Sequence, residues 1–286
     1  MDELNPTGPV SPPLDRATAT RTKGYGAQLA WYFGGVVVVY LAGVAALWPA
    51  DGGAPSSMVF LVVMFAPTVG ALLARVLAGG RIQWGMATWW ILAGLVPSAT
   101  VLLTYLLGAG LGWYHLDASL LGSALLVAPV SILSACLSAV GEEIGWRGFL
   151  WPAVRQRADF WRSSLIVGVV WWLYHVPLIL LGWYGSVSGL PAFTVAIVGF
   201  VLFVGVLTDR SHSLWPSVLA HGAWNAVVAT SFAVITGATR MPAFSGAEAL
   251  LGEFGWVAAV TVLALGAGVA MWHTRTSAQA SAEESP

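Results

Sequence analysis

The sequence predicts an all-α protein that crosses a membrane many times. Three observations support this fold class: 58% of the 286 residues are hydrophobic, only 9% are charged, and the mean hydropathy is +0.79. A soluble domain carries about 25% charged residues. The net charge of −1 offers no basic surface for nucleic acid. Since there is a single cysteine, Cys136, we exclude a multi-cysteine metal site and interpret this residue as apolar packing.

Eight apolar stretches reach the length of about 20 residues that a spanning helix needs. They cover residues 27–48, 57–78, 87–110, 119–141, 162–182, 191–208, 213–236 and 254–273. Residues 1–22 are polar and rich in proline, without the apolar core of a signal peptide, and residues 276–286 are also polar. Both segments are predicted to be disordered tails. Residues 23–275 then form one membrane domain.

The positions of the basic residues predict an orientation. With the N-terminus in the cytoplasm, all of the 12 Lys and Arg residues except Arg240 fall in cytoplasmic segments or at cytoplasmic helix ends. Such an excess is typical of cytoplasmic loops. We therefore expect eight spans in the cell (inner) membrane, with both termini in the cytoplasm. Residues 142–161 are predicted to continue the fourth helix into the cytoplasm, bending at Pro152 and lying partly in the interface.

Two adjacent carboxylates, Glu142 and Glu143, follow the fourth apolar run. Charges at membrane depth are usually kept for a function. Neighbouring side chains on a helix point about 100° apart, so the two glutamates cannot do the same job. Glu143 and Arg147 are one turn apart, in the favourable order for an ion pair, which leaves Glu142 to act as a base on water. The alternative is a pair of interfacial glutamates that reach the lipid headgroups.

Further polar residues lie inside the fifth and seventh predicted spans. His175 has Trp171 one turn earlier, where the indole would wall a pocket; alternatively, the histidine bonds a backbone carbonyl freed by Pro177. His221 and Asn225 share a helix face and form a donor pair suited to an oxyanion, while a histidine is also a metal ligand. The alternative for this pair is hydrogen bonding between helices.

Depth presents a difficulty for this constellation. His175 lies about 20 Å into its predicted span, at 1.5 Å per residue. Glu142 lies at the cytoplasmic end of the fourth predicted span. The two side chains can meet only if the fourth span runs deeper, or if the fifth span starts in the cytoplasm.

The order of these motifs resembles a known family. Glu-Glu-x-x-x-Arg, aromatic-x-x-x-His and His-x-x-x-Asn, each on its own helix, resemble the CAAX protease and bacteriocin-processing (CPBP, or ABI) family of intramembrane endopeptidases. The matching stretches are residues 142–150, 171–175 and 213–225, and the resemblance covers residues 115–236 well. One departure is Trp171, where the family more often has phenylalanine.

The resemblance implies an eight-helix bundle that encloses a cytoplasm-facing cavity. It implies that Glu142 activates water beside His175, and that His221 and Asn225 stabilise the tetrahedral intermediate. The family is often called a metalloprotease, and Glu142, His175 and His221 are suitable donors for zinc. A glutamate-and-histidine mechanism without tightly bound metal is the alternative.

Three functions follow as hypotheses. The first is an endopeptidase that hydrolyses a membrane-associated peptide or protein substrate near the cytoplasmic face. The second is a catalytically silent membrane scaffold, or a bacteriocin self-immunity protein, that uses the same pocket for binding. The third is a proton-coupled transporter with Glu142 and the histidines as a relay, although the sequence lacks a convincing pair of matching broken helices.

Overall fold

The computed structural model describes residues 15–46, 48, 57–86, 90–237 and 239–283. Its described part contains eight helices, which we number in chain order. They are α1 (Asp15–Ala46), α2 (Ser57–Ala78), α3 (Trp90–Gly110), α4 (Ala118–Arg155), α5 (Phe160–Leu180), α6 (Leu190–Ser211), α7 (Trp215–Ala223 and the π-helical turn Trp224–Val228) and α8 (Trp256–Glu283).

All of these helices except α7 are long and apolar enough to cross a membrane, which makes seven candidate spans in the described residues. Large apolar side chains on their outer surfaces are exposed, as lipid-facing residues are. Leu126 and Val130 on α4, for example, are 82% and 74% exposed. The all-α, multi-pass membrane fold is therefore confirmed, whereas the count of eight spans is not.

Four short strands connect the helix ends on one side of the bundle. β1 (His115–Leu116) pairs antiparallel with β4 (Phe244–Ser245), and β2 (Ala233–Thr236) pairs antiparallel with β3 (Thr239–Pro242). The second pair forms a hairpin between α7 and α8. We call the side of the bundle that carries these strands the hairpin face.

Both ends of the described chain lie on the opposite side, which we call the terminal face. Near the start of α1, the ring of Tyr25 lies 3.8 Å from the guanidinium carbon of Arg157. Near the end of α8, Nδ1 of His273 accepts a hydrogen bond from Nε of Arg210 at 3.0 Å. Helix α7 therefore returns the chain from the terminal face to the hairpin face, although it is too short to cross a bilayer alone.

Helix α7 is shorter than predicted because the chain turns soon after Val228. The sequence predicted a continuous span over residues 213–236. Ser231 and Phe232 instead have φ values of 56° and 55°, which end helical geometry, and the hairpin strand begins at Ala233. At about 1.5 Å per residue, residues 215–228 are about 21 Å long, which is less than the bilayer core.

Helix α4 is longer than predicted. The sequence placed its span at residues 119–141, followed by a bend at Pro152 and an interfacial segment. The helix instead continues to Arg155 through the π-helical turn Trp146–Leu150. Trp146, Phe149 and Leu150 in this turn are buried rather than interfacial. Pro152 is tolerated because it follows the π-helical turn, where the helical hydrogen-bond register has already changed.

The predicted tails also differ from the observed helix ends. Helix α1 begins at Asp15 and α8 continues to Glu283, so part of each predicted tail (1–22 and 276–286) is helical. Alanine has the highest helix propensity and recurs near the end of α8, which favours this continuation. Residues 1–14 and 284–286 lie outside the described residues.

Candidate active site

Glu142 lies on α4 with one carboxylate oxygen held by two indoles. Its Oε2 accepts a hydrogen bond from Nε1 of Trp146 at 3.1 Å and another from Nε1 of Trp171 at 2.8 Å. Trp146 is one turn later on α4, whereas Trp171 reaches across from α5. The Glu142 side chain is only 3% exposed. The two donors hold the carboxylate in one orientation, as a general base requires.

Trp171 therefore does more than wall a pocket. The sequence predicted only that the Trp171 indole would wall a pocket beside His175. The indole N–H makes a hydrogen bond to Glu142 that a phenylalanine ring cannot make. The same ring also packs edge-on against His175 and His221, with centroid separations of 5.6 and 5.5 Å. It is therefore in contact with three of the four predicted catalytic residues.

Glu143 forms the predicted ion pair and has a second partner. Its Oε1 lies 3.0 Å from Nη1 of Arg147, and both side chains are fully buried. The same oxygen lies 2.9 Å from Nδ1 of His221, on α7. An ionised carboxylate only accepts hydrogen bonds, so Nδ1 carries the proton. Nε2 of the neutral ring is then left with a free lone pair, because Glu143 fixes the tautomer.

His175 is fixed in a similar way by backbone. Its Nδ1 lies 2.8 Å from the carbonyl oxygen of Trp171, and a carbonyl can only accept. Nδ1 therefore carries the proton and Nε2 is the acceptor in the neutral ring. The carbonyl that Pro177 frees is that of Leu173, one helical turn before the proline, and it is not the partner observed.

The four predicted catalytic side chains line one open cavity of about 470 Å³. Glu142, His175, His221 and Asn225 all contribute to its wall.

The sequence placed Glu142 and His175 at different depths in the membrane. This difficulty disappears because α4 extends to Arg155. Glu142 is about 20 Å from that end of α4, and His175 is about 22 Å from the start of α5 on the same side. Both side chains therefore lie at a similar level of the bundle.

A π-helical turn overlaps the end of two of the three predicted motifs. Trp146–Leu150 follows the two glutamates on α4, and Trp224–Val228 includes Asn225 on α7. Such turns widen the helix by one residue and are frequent at functional sites, where they redirect side chains. Here they place Trp146 against Glu142 and bring Asn225 to the cavity wall.

The cavity opens towards the hairpin face. Apart from the four predicted residues, its wall includes residues that lie at or near that face, among them Trp183, Gly185, Arg240 and Phe254. On the other side of Glu142, the chain is tightly packed. Trp146, Phe149, Leu150 and Trp151 are each at most 1% exposed. No lining residue of this cavity comes from the terminal-face loops 79–86, 156–159 or 211–214.

Two predictions therefore conflict. The sequence predicted cytoplasmic termini, and the family resemblance implied a cytoplasm-facing cavity. The described chain ends and the cavity mouth lie on opposite faces of the bundle. At most one of the two predictions can therefore be correct.

Glu253 is a second carboxylate in the cavity wall, which the sequence analysis missed. It lies between the hairpin and α8. Its Oε1 accepts a hydrogen bond from the Tyr184 hydroxyl, and its Oε2 accepts one from Nε1 of Trp224 at 3.3 Å. Burial raises the pKa of Glu253, although the two hydrogen bonds act in the opposite direction. The sequence signal that could have identified it is a glutamate that lies three residues before the apolar span starting at Trp256.

The donors predicted for zinc are not assembled into a metal site. Within the described part of the chain, no three His, Cys, Asp or Glu side chains lie close enough together to hold a metal ion. Oε2 of Glu142 is already engaged by two indole N–H groups. Nε2 of each histidine keeps its lone pair, because Nδ1 has the protein partner. The zinc ligand set of Glu142, His175 and His221 therefore stays a prediction.

Sequence comparison gives a family match that includes this site and a shorter match to a named protein. Residues 123–227 match the family described as type II CAAX prenyl endopeptidase Rce1-like. A segment of 43 residues is 40% identical to a protein named CAAX prenyl protease 2 from Methanococcus maripaludis. That alignment covers 15% of this chain and 16% of the relative.

The chain carries an Rce1-like region. The predicted family resemblance is thereby confirmed over residues 123–227, which agrees well with the predicted core of 115–236. All of the predicted site residues lie within the Rce1-like region, from Glu142 to Asn225. Glu253 lies outside it, beyond the end of α7.

Proposed function

We propose that this chain is an intramembrane endopeptidase that hydrolyses a peptide bond of a membrane-associated peptide or protein. One observation carries the proposal: Glu142, His175, His221 and Asn225 line a single cavity within the Rce1-like region. The name of the matched family describes a type II CAAX prenyl endopeptidase, which is consistent with this chemistry. We further propose that the protein acts in the cell membrane as a multi-pass component.

The first step is the attack of water on the scissile carbonyl. The Glu142 carboxylate accepts a proton from a water molecule, and the water oxygen bonds to the carbonyl carbon. The carbonyl π electrons move to its oxygen, which becomes an oxyanion. His175 holds the water through its Nε2 lone pair, because Nδ1 is occupied by the backbone carbonyl of Trp171.

The second step is the collapse of the tetrahedral intermediate. The Asn225 amide and His221 donate hydrogen bonds to the oxyanion, for which His221 must carry a proton on Nε2 as well as on Nδ1. Glu143 favours this imidazolium because its carboxylate lies beside Nδ1. When the carbonyl re-forms, the C–N bond breaks, and Glu142 returns its proton to the leaving amine. The products are a new carboxyl terminus and a new amino terminus.

Glu143 and Arg147 act as positioning residues in this scheme. Arg147 is fully buried, and its guanidinium carbon lies 4.6 Å from the centre of the Trp171 ring. It neutralises Glu143 on one side while His221 occupies the other. Loss of Glu143 would leave Arg147 without its anionic partner and His221 without its orienting group.

A cleavage assay tests the proposal. The protein is purified in detergent and incubated with a library of membrane-anchored peptides, and products are identified by mass spectrometry. We expect Glu142→Gln and His175→Ala to lower the rate by about 10²–10⁴-fold, the typical contribution of a general base. Glu248→Gln is the matched control, since Glu248 is exposed on the hairpin face, away from the cavity wall.

Other outcomes would support the alternative functions. If no peptide is cleaved, and a cellular phenotype of the wild type survives Glu142→Gln, the protein is a silent scaffold or immunity protein. If Glu142→Gln instead abolishes a proton flux into proteoliposomes, the chain is a transporter.

Zinc stays a prediction that the described geometry does not favour. It is tested by metal analysis of the purified protein and by activity in the presence of a chelator. Stoichiometric zinc that is lost in His221→Ala would support the predicted ligand set. Full activity in metal-depleted protein would support the scheme above.

A further inference from the structure

We propose that the cavity receives its substrate from the extracytoplasmic side of the membrane. The proposed substrate is thus a peptide or protein segment that is anchored in the bilayer and exposed on the outer surface. This inference rests on the proposed endopeptidase function for the nature of the substrate. The direction of entry rests on the structure and on the distribution of charge alone.

The charge of the two faces is strongly asymmetric. In the described part of the chain, the terminal face carries nearly all of the arginines that lie outside the bundle interior: Arg75, Arg81, Arg155, Arg157, Arg162, Arg210 and Arg275. Arg240 is the arginine of the hairpin face, in strand β3. Because Lys and Arg are concentrated in cytoplasmic loops, the terminal face is the cytoplasmic one.

The terminal face is also closed below the site. Trp151 donates a hydrogen bond from Nε1 to Oδ1 of Asp209 at 2.8 Å, which links α4 to the end of α6. Arg155 binds the same carboxylate, with 3.0 Å between Nη2 and Oδ2, and His273 of α8 lies 3.3 Å from Oδ2. These contacts link α4, α6 and α8. They lie between the terminal face and the buried side chains around Glu143.

The hairpin face, in contrast, provides the walls of the mouth. Trp183 and Gly185 follow α5, and Phe254 precedes α8. Arg240 lies at the mouth and donates a hydrogen bond from Nη2 to the carbonyl oxygen of Ala229 at 2.6 Å. Glu253 lies further in, so an entering peptide meets one cation and then one carboxyl group before it reaches Glu142 and His175.

Entry through the hairpin face favours substrates that are exposed on the outer side of the membrane. A lipidated C-terminal tail that remains in the cytoplasm would have to cross the closed terminal face to reach Glu142. An exported segment next to a membrane anchor meets the cavity mouth directly. We therefore expect cleavage of a bond that lies close to the outer membrane surface.

Cysteine labelling tests the direction of entry independently of any activity. The native thiol is removed by Cys136→Ser, and single cysteines are then introduced as Ser188→Cys on the hairpin face and Gln156→Cys on the terminal face. Both positions are exposed. Intact cells are treated with a membrane-impermeant maleimide, with lysed cells as the control for reactivity.

We expect Ser188→Cys to react in intact cells, and Gln156→Cys to react only after lysis. The opposite pattern would overturn the inference, because the mouth would then face the cytoplasm. The substrate class is tested with sealed right-side-out vesicles and an anchored peptide added outside. Cleavage only in inverted vesicles would overturn it, whereas labelling as expected with no cleavage on either side would contradict the proposed function and leave the direction of entry supported.

Discussion

At the scale of single residues, Glu142 and Glu143 are adjacent in the sequence but have entirely different partners. Glu142 has two indole donors and borders the cavity, whereas Glu143 is fully enclosed between Arg147 and His221. Helical geometry predicted that the two glutamate side chains point in different directions, and it also predicted the ion pair between Glu143 and Arg147. The bond to His221 was not predictable, because that residue is 78 positions away on another helix.

We predict that the two glutamates differ in their effect on stability. Glu143→Ala leaves the buried Arg147 without its carboxylate, and breaking a buried pair in this way costs about 3–5 kcal/mol. Glu142→Gln keeps the shape of the side chain and removes only a charge beside the cavity. Thermal unfolding in detergent, followed by tryptophan fluorescence, should therefore show a large fall in Tm for Glu143→Ala alone.

The control for this comparison is Glu248→Ala, where an exposed side chain is removed and the change should stay within about 0.5 kcal/mol. Equal Tm values for Glu143→Ala and this control would contradict the structural role of the Glu143 pair.

Glu253 gives a prediction about pH. Its pKa in the folded protein is raised above the ordinary value of 4.5. The folded state therefore binds the proton more tightly than the unfolded state does, and stability is lost as the pH rises from 4.5 through the raised pKa. Glu253→Gln cannot lose this proton. We expect the Tm of the variant, relative to wild type, to be higher at pH 8 than at pH 4.5.

The same Tm difference at both pH values would show that burial of the Glu253 charge has no cost. Tyr184→Phe serves as a companion variant, since it removes one of the two hydrogen bonds to Glu253 and should increase the pH dependence.

At the scale of helices, the site depends on close contact between α4 and α2. Gly145 lies two residues after Glu143, and a Cβ atom at this position would be 2.5 Å from the carbonyl carbon and oxygen of Pro67. Thr68 donates a hydrogen bond from Oγ1 to the carbonyl oxygen of Gly141 at 2.6 Å. Small residues allow helix backbones to approach in this way in membranes.

We predict that Gly145→Ala separates these helices and destabilises the protein by at least the 1–3 kcal/mol typical of overpacking. Gly122→Ala is the matched control, because it lies on the exposed side of α4 with nothing within 4 Å of the added atom. That variant should be neutral, or up to about 1 kcal/mol more stable, because alanine favours a helix. Similar Tm values for the two variants would contradict the close packing.

Helix boundaries were predictable where the helix begins and ends with the apolar stretch of the sequence. Helix α2 begins and ends where the sequence predicted, at residues 57 and 78. The extension of α4 and the shortness of α7 were not predictable in the same way. Both involve π-helical turns, and these depend on packing between helices rather than on local composition.

At the scale of the whole molecule, composition and motif order predicted the membrane fold and the residues that meet in the cavity. The side on which the cavity opens was not available from the sequence, because α7 and the hairpin had been predicted as a single span. Once α7 is seen to return the chain to the hairpin face, the positive charges and the mouth fall on opposite sides. The proposed substrate therefore changes from a cytoplasmic segment to an exported one.

The most direct test of the central claim is peptide cleavage in water enriched in ¹⁸O. The wild type and Glu142→Gln are incubated with an anchored peptide, and the new carboxyl terminus is analysed by mass spectrometry. We predict one ¹⁸O atom in the wild-type product after a single turnover, and a rate about 10²–10⁴-fold lower for Glu142→Gln. Equal rates of labelled product from both proteins would contradict it, because Glu142 would then not activate the attacking water.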